Sequence, residues 1–190
     1  MKIFKSFAIL FAFSAIFTSC MSSPKIPGSK ISPVYVTNSK KYYLISPQNL
    51  DSVIDSQVLL EGEFGENSFN FLSYVQADKE QISLSIFTDF GNLLGELIFD
   101  GYSVVLDSSI FPKNLKPEYI VADLQFAFYN FDAVKSSLKK INLDFQKTEE
   151  NTRVIKDGSK IIEKITKEQN VTTIQNFLRG YKYILTEATE

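Results

Sequence analysis

Histidine and tryptophan are absent from this 190-residue chain, and Cys20 is its one cysteine. Without histidine, the usual general base of acyl-transfer and hydrolytic sites is missing. A single cysteine excludes an intramolecular disulfide. Together the two shortages remove the usual ligands of a transition-metal site, so no metal or cofactor is expected. No nucleophile motif of the G-x-S-x-G type is present, which points away from an enzyme. An excess of positive charge is lacking too: 20 basic residues face 22 acidic ones. Removing a leader that carries Lys2 and Lys5 leaves 18 basic residues and a net charge of −4, which argues against a nucleic-acid partner. No internal repeat is evident.

What the chain does have begins at its N-terminus. Lys2 and Lys5 form a short basic region before the apolar run Phe7–Phe17, which is too short to span a bilayer and reads as a signal peptide. Phe17-Thr18-Ser19-Cys20 then resembles a lipobox, with small residues at the two positions before the cysteine. The expectation is cleavage before Cys20, acylation of that cysteine and anchoring at a membrane, since two or more acyl chains hold stably where one does not. Met21 rather than Asp follows the cysteine, which points to the periplasmic face of the outer membrane. Ser22–Pro33 is rich in Ser, Pro, Lys and Gly and reads as a flexible tether. The expected division is 1–19 leader, 20–40 anchor and tether, and 41–190 one folded domain. With 44% hydrophobic and 14% aromatic residues, the chain can build one core.

Alternation then takes over. Val58, Leu60 and Phe64 are separated by polar or acidic residues. Phe69 and Phe71, then Ile82, Leu84 and Ile86, continue the period of half-buried strands. Leu93–Phe99 and Tyr102–Leu106 follow, joined at the turn dipeptide Asp100-Gly101. Between two meanders lies a predicted helix, Glu118–Asn130, after Pro112 and Pro117. At 100° per residue, Ile120, Leu124, Ala127, Phe128 and Phe131 share one face, and Tyr119, Ala122, Phe126 and Tyr129 the other. Two apolar faces require two covers, the sheet and either more protein or a cavity. Asp132 is expected to cap a second helix, Ala133–Lys140. Strands return at Ile141–Phe145, Arg153–Lys156, Lys160–Thr166, Val171–Leu178 and Tyr181–Thr186. About ten strands and one helical insertion predict a mainly β (α+β) fold, an open antiparallel barrel or strongly curved sheet with a helical lid.

The motifs Phe99-Asp100-Gly101, Pro112, Leu115, Pro117-Glu118-Tyr119, Ala122-Asp123-Leu124-Gln125 and Asn176-Phe177-Leu178-Arg179-Gly180-Tyr181 carry a resemblance. Over about residues 40–188 the chain is similar to an uncharacterised family of bacterial lipoproteins in the LolA/LolB-like superfamily, often encoded beside aryl-polyene biosynthesis. The resemblance implies a lidded barrel whose apolar cavity takes lipoprotein acyl chains or a lipid-like molecule, with a periplasmic carrier as partner. Leu60, Phe64, Phe69, Phe71, Ile86, Leu97 and Phe99 would line the cavity. Ile120, Leu124, Phe128 and Phe131 would form the lid. Phe90, in Asp89-Phe90-Gly91, matches an apolar residue that projects from a loop in LolB-like receptors, although Asp89 stands where the family has Pro. Tyr129 and Phe177 stand where it has Trp and His. Ordinary core packing is the alternative for each of these side chains. A scaffold lipoprotein that docks a protein and binds no lipid is the alternative function.

Overall fold

The computed structural model describes residues 31–111, 115–148 and 151–188. The leader, Cys20, most of the expected tether and Pro112 lie outside the described residues. A short hairpin comes first, β1 (Val34–Tyr35) and β2 (Lys41–Tyr42). A meander follows: β3 (Ile54–Phe64), β4 (Asn67–Ala77), β5 (Ile82–Phe87), β6 (Leu93–Phe99) and β7 (Val104–Ser108). Helices α1 (Pro117–Phe128) and α2 (Phe131–Lys139) precede a second meander, β8 (Asp144–Lys147), β9 (Thr152–Asp157), β10 (Lys160–Glu168), β11 (Val171–Asn176) and β12 (Tyr181–Glu187).

The two meanders fuse where β12 pairs with β3, from Tyr181 opposite Phe64 to Glu187 opposite Val58. This gives one ten-stranded antiparallel sheet, ordered β7-β6-β5-β4-β3-β12-β11-β10-β9-β8. It stays open, with β7 and β8 as edges, so the predicted architecture is a strongly curved sheet and not a closed barrel. Alternation sorts the side chains as expected. Val58, Leu60, Val75, Leu84, Ile86, Leu97, Phe99, Ile155, Ile165 and Ile174 are buried on the face that the helices cover.

Helix α1 is buried almost all round, from Val121 to Ala127. Its second cover is protein. The segment after β2 crosses its outer side, and Gln125 fastens the two together. The Gln125 side-chain oxygen accepts from the Tyr42 hydroxyl (3.0 Å) and the Ile45 amide (3.1 Å), and its nitrogen donates to the Ile45 carbonyl (2.7 Å). Asn130 N donates to Asn49 O at 2.8 Å, and Leu50 bridges Tyr129. At the carbonyl end of α1, Arg153 donates from β9 to Phe126 O (3.0 Å) and Tyr129 O (2.7 Å), a cation where the helix dipole favours one.

Two boundaries differ from expectation. Asn130, not Asp132, caps the second helix: its side chain accepts from the amides of Asp132 and Ala133, and Tyr129 is already extended. The helix thereby starts at Phe131, whose ring stacks on Phe145 with centroids 4.9 Å apart. The folded part also begins before residue 41, because Val34 and Val36 are buried in the core. Strands of two residues carry no readable period, which is why this hairpin passed for tether.

Candidate functional site

Where β3, β4 and β12 run on beyond the helices, the inner face carries a row of rings. Phe64 stacks on Tyr181 (6.0 Å), Tyr181 meets Tyr183 (5.0 Å), Tyr183 meets Phe69 (6.3 Å) and Phe69 stacks on Phe71 (5.5 Å). Gly62 makes room for this row: a Cβ there would fall inside the ring of Phe69. Phe64 is 54% exposed, while Phe69, Phe71 and Tyr183 are half-buried. The result is an aromatic shelf, open on one side.

Under the inner end of the shelf lies a buried polar cluster that ties α1 to the sheet. The Tyr181 hydroxyl donates to Asp123 at 2.7 Å. Asn176 Nδ2 donates to Glu163 at 2.9 Å and to the Tyr181 oxygen at 3.3 Å, while Asn176 Oδ1 accepts from the Arg179 amide at 2.9 Å. The Arg179 guanidinium lies 4.8 Å from the centre of the Tyr119 ring and donates to the Tyr35 carbonyl. Asp123 is 4% exposed and Glu163 1%. Burial pushes the Asp123 carboxyl up to about 7, against the pull of Tyr181 and Arg179. Burial, reinforced by the negative charge of Asp123, holds the Glu163 carboxyl well above the usual range. Burial and the two acids likewise push the Tyr181 hydroxyl up. Near neutral pH the cluster therefore stores protons. Burial thus favours the neutral form of Glu163, and one of its oxygens has no hydrogen-bond partner among the described residues.

Of the residues quoted for the resemblance, Tyr119, Asp123, Asn176, Arg179 and Tyr181 thus meet in space, although α1 and β12 are separated by five elements of chain. Asp123 binds the side chain of Tyr181. Glu163 and Tyr183 were missed. The signal for Glu163 was partial: it alternates in phase with Ile165, an acid on an apolar period, while a bulge turns Ile161 outward. No comparable signal marks Tyr183.

The predicted lining residues divide into two groups. Leu60, Ile86, Leu97 and Phe99 are packed core. Phe69 and Phe71 flank that core and belong to the shelf, and Phe64 stands exposed at its end. Hollows of about 360 Å³ and 390 Å³ occur elsewhere, one among Glu61, Ser68, Asn70, Lys182 and Ile184, the other around Leu143 and Gly158. Of the predicted lining residues, Phe69 alone borders either of these two. Among the lid residues Leu124 is buried, whereas Ile120, Phe128 and Phe131 are half-buried. Lys167 lies 4.4 Å from the Phe128 ring centre, its ammonium lowered to about 8 by burial and by Arg153.

Phe90 is 93% exposed at the tip of the β5–β6 turn. Thr88 Oγ1 shapes that turn by accepting from the amides of Phe90 (3.3 Å) and Asn92 (3.1 Å), with Gly91 at φ +79°.

A comparison with curated proteins finds no match to the chain. A family model described as Protein of unknown function (DUF3261) matches residues 55–189. That span takes in nearly all of the ten-stranded sheet, both helices, the aromatic shelf and the buried acids, and the chain belongs to this family.

Proposed function

We propose that this protein is a non-enzymatic envelope lipoprotein, anchored through an acylated Cys20 at the periplasmic face of the outer membrane, that binds an apolar cargo. The cargo is an acyl chain of a lipoprotein or a lipid-like molecule, exchanged with a periplasmic carrier as in LolA/LolB-like pairs. The observation that carries this reading is the aromatic shelf. Phe64, Phe69, Phe71 and Tyr183 leave ring surface open on the inner face of a curved sheet, where an apolar chain can be laid against them with loss of water contact. The proposed site is a shelf beside α1 rather than a chamber beneath it, because α1 is packed between the sheet and the segment after β2.

The test is native mass spectrometry of the acylated protein together with uptake of a fluorescent fatty acid. Bound lipid and saturable uptake, weakened by Phe69→Ser and by Tyr183→Ser, are expected. An empty protein with no uptake would sink the proposal.

A scaffold that docks a protein partner is the second reading. The packing of Leu60, Ile86, Leu97 and Phe99 as solid core favours it. Crosslinking in cells that captures one envelope protein through the shelf, with no lipid bound, would establish it instead.

A further inference from the structure

One end of the sheet collects apolar side chains. Glu163, Asn176, Tyr181, Phe64 and Asn67 stand in line across β10, β11, β12, β3 and β4. Beyond that line lie the β3–β4, β9–β10 and β11–β12 turns, and the β5–β6 turn and the exit from β7 face the same way. This rim presents Phe64, Phe90, Leu93, Ile110, Ile161 and Phe177, all exposed. The opposite end presents Val53 and Tyr102.

The N-terminal chain enters at the same rim. Arg179, in the β11–β12 turn, donates to Tyr35, and Lys40 pairs with Asp157 at the end of β9 (2.6 Å). Ten residues, 21–30, separate Cys20 from Ile31, a reach of at most about 35–40 Å. A lipid on Cys20 would therefore hold the domain close to the bilayer, with this end nearest to the point where the chain enters.

We infer that the rim docks on the lipid bilayer, its apolar tips entering the interface beside the anchor. The inference rests on the lipoprotein reading of Cys20. A plane of lipid suits the rim better than a second protein does, because the apolar tips stand on separate turns with charged residues between them, and no close-packed patch is formed. Among the described residues those charges balance: Glu66 and Asp89 against Lys160 and Arg179, with Glu63 near Lys182 (3.9 Å). Docking is thus apolar and needs no anionic lipid. The anchor keeps the tips at high local concentration over the surface, so weak insertion suffices.

The absence of tryptophan supplies the test. Phe90→Trp, Phe177→Trp and Tyr102→Trp are each made in the full acylated protein and reconstituted into phosphatidylcholine vesicles with brominated chains. All three variants should float with the vesicles. Quenching should be several-fold stronger at 90 and 177 than at 102, and little changed by salt or by added phosphatidylglycerol. Flotation with equal quenching at the three positions, or with none, overturns the docking inference and leaves the anchor standing. A blue shift at 90 and 177 without quenching means that another copy covers the rim, which also overturns it. Failure to float overturns both the anchor and the docking.

Discussion

The Tyr181 hydroxyl donates a 2.7 Å hydrogen bond to Asp123, joining the first residue of β12 to the middle of α1. Both groups are buried, so the bond has no water to replace it. Tyr181→Phe keeps the ring against Phe64 and Tyr183 but leaves Asp123 Oδ2 without that donor. The expected cost is about 1–3 kcal/mol, read as a lower urea midpoint with an unchanged slope. A midpoint equal to that of the natural protein would mean that the bond holds nothing.

The same cluster makes stability depend on pH. Asp123 sits at about 7 in the folded protein, against about 4 for an aspartate in an unfolded chain. The folded state therefore binds this proton more tightly. Its contribution is fully present below about pH 4 and declines as the pH rises to about 7. Glu163, also raised, acts in the same direction: its contribution too is lost as the pH rises. The urea midpoint should fall between about pH 4 and pH 7. Asp123→Asn, which still offers Tyr181 an oxygen, should flatten that fall. Parallel pH profiles for the variant and the natural protein would place the slope elsewhere.

Much of this was legible in the chain, and the reasons differ by element. The long strands β3 to β6 announce themselves because alternation over several residues has one physical meaning, a face in and a face out. Helix α1 was legible for the opposite reason: apolar residues on both faces demanded two covers, and the strap of residues 42–51 is the second. The strap itself was not legible, since its hold on α1 comes from one glutamine reaching a distant backbone and from backbone bonds at Asn49 and Leu50 that no side-chain pattern announces. The division of the aromatic residues into core and shelf was hidden too. Phe64, Phe99 and Phe71 look alike in a pattern. Which of them is covered depends on where the helices end over the sheet. Asp123 was visible as an acid within an apolar helix, but its partner Glu163 comes from another element and is brought there only by the register of β10 on β11.

Gly62 is required by Phe69. A Cβ at 62 would penetrate the Phe69 ring, so Gly62→Ala must tilt that ring away from Tyr183 or shift β4. A cost of about 1–3 kcal/mol is expected, as for other overpacked sites. Because the clash is with one side chain, Phe69→Ala should remove most of it. The double variant should then be clearly less destabilised than the sum of the single ones. Strict additivity in chemical denaturation would place the strain in the backbone of β3.

The strap offers the sharpest test of how α1 is held. Gln125 makes three hydrogen bonds across the helix surface, to the Tyr42 hydroxyl and to both backbone groups of Ile45. Gln125→Leu preserves volume and helix propensity but orphans the Ile45 amide and carbonyl, with an expected loss of about 2–4 kcal/mol. The loss should be local before it is global. The sheet has its own backbone ladder, whereas residues 42–51 lie on α1 through few bonds, of which Asn130 N to Asn49 O and the Leu50–Tyr129 bridge survive the change. Amide exchange at Ile45 should therefore accelerate at urea concentrations where β3 and β12 remain protected, and limited proteolysis should cut within 42–51 first. If exchange at Ile45 rises only in step with the sheet, the strap and the sheet unfold as one unit. Gln125 would then act on the stability of the whole domain and not on the strap alone.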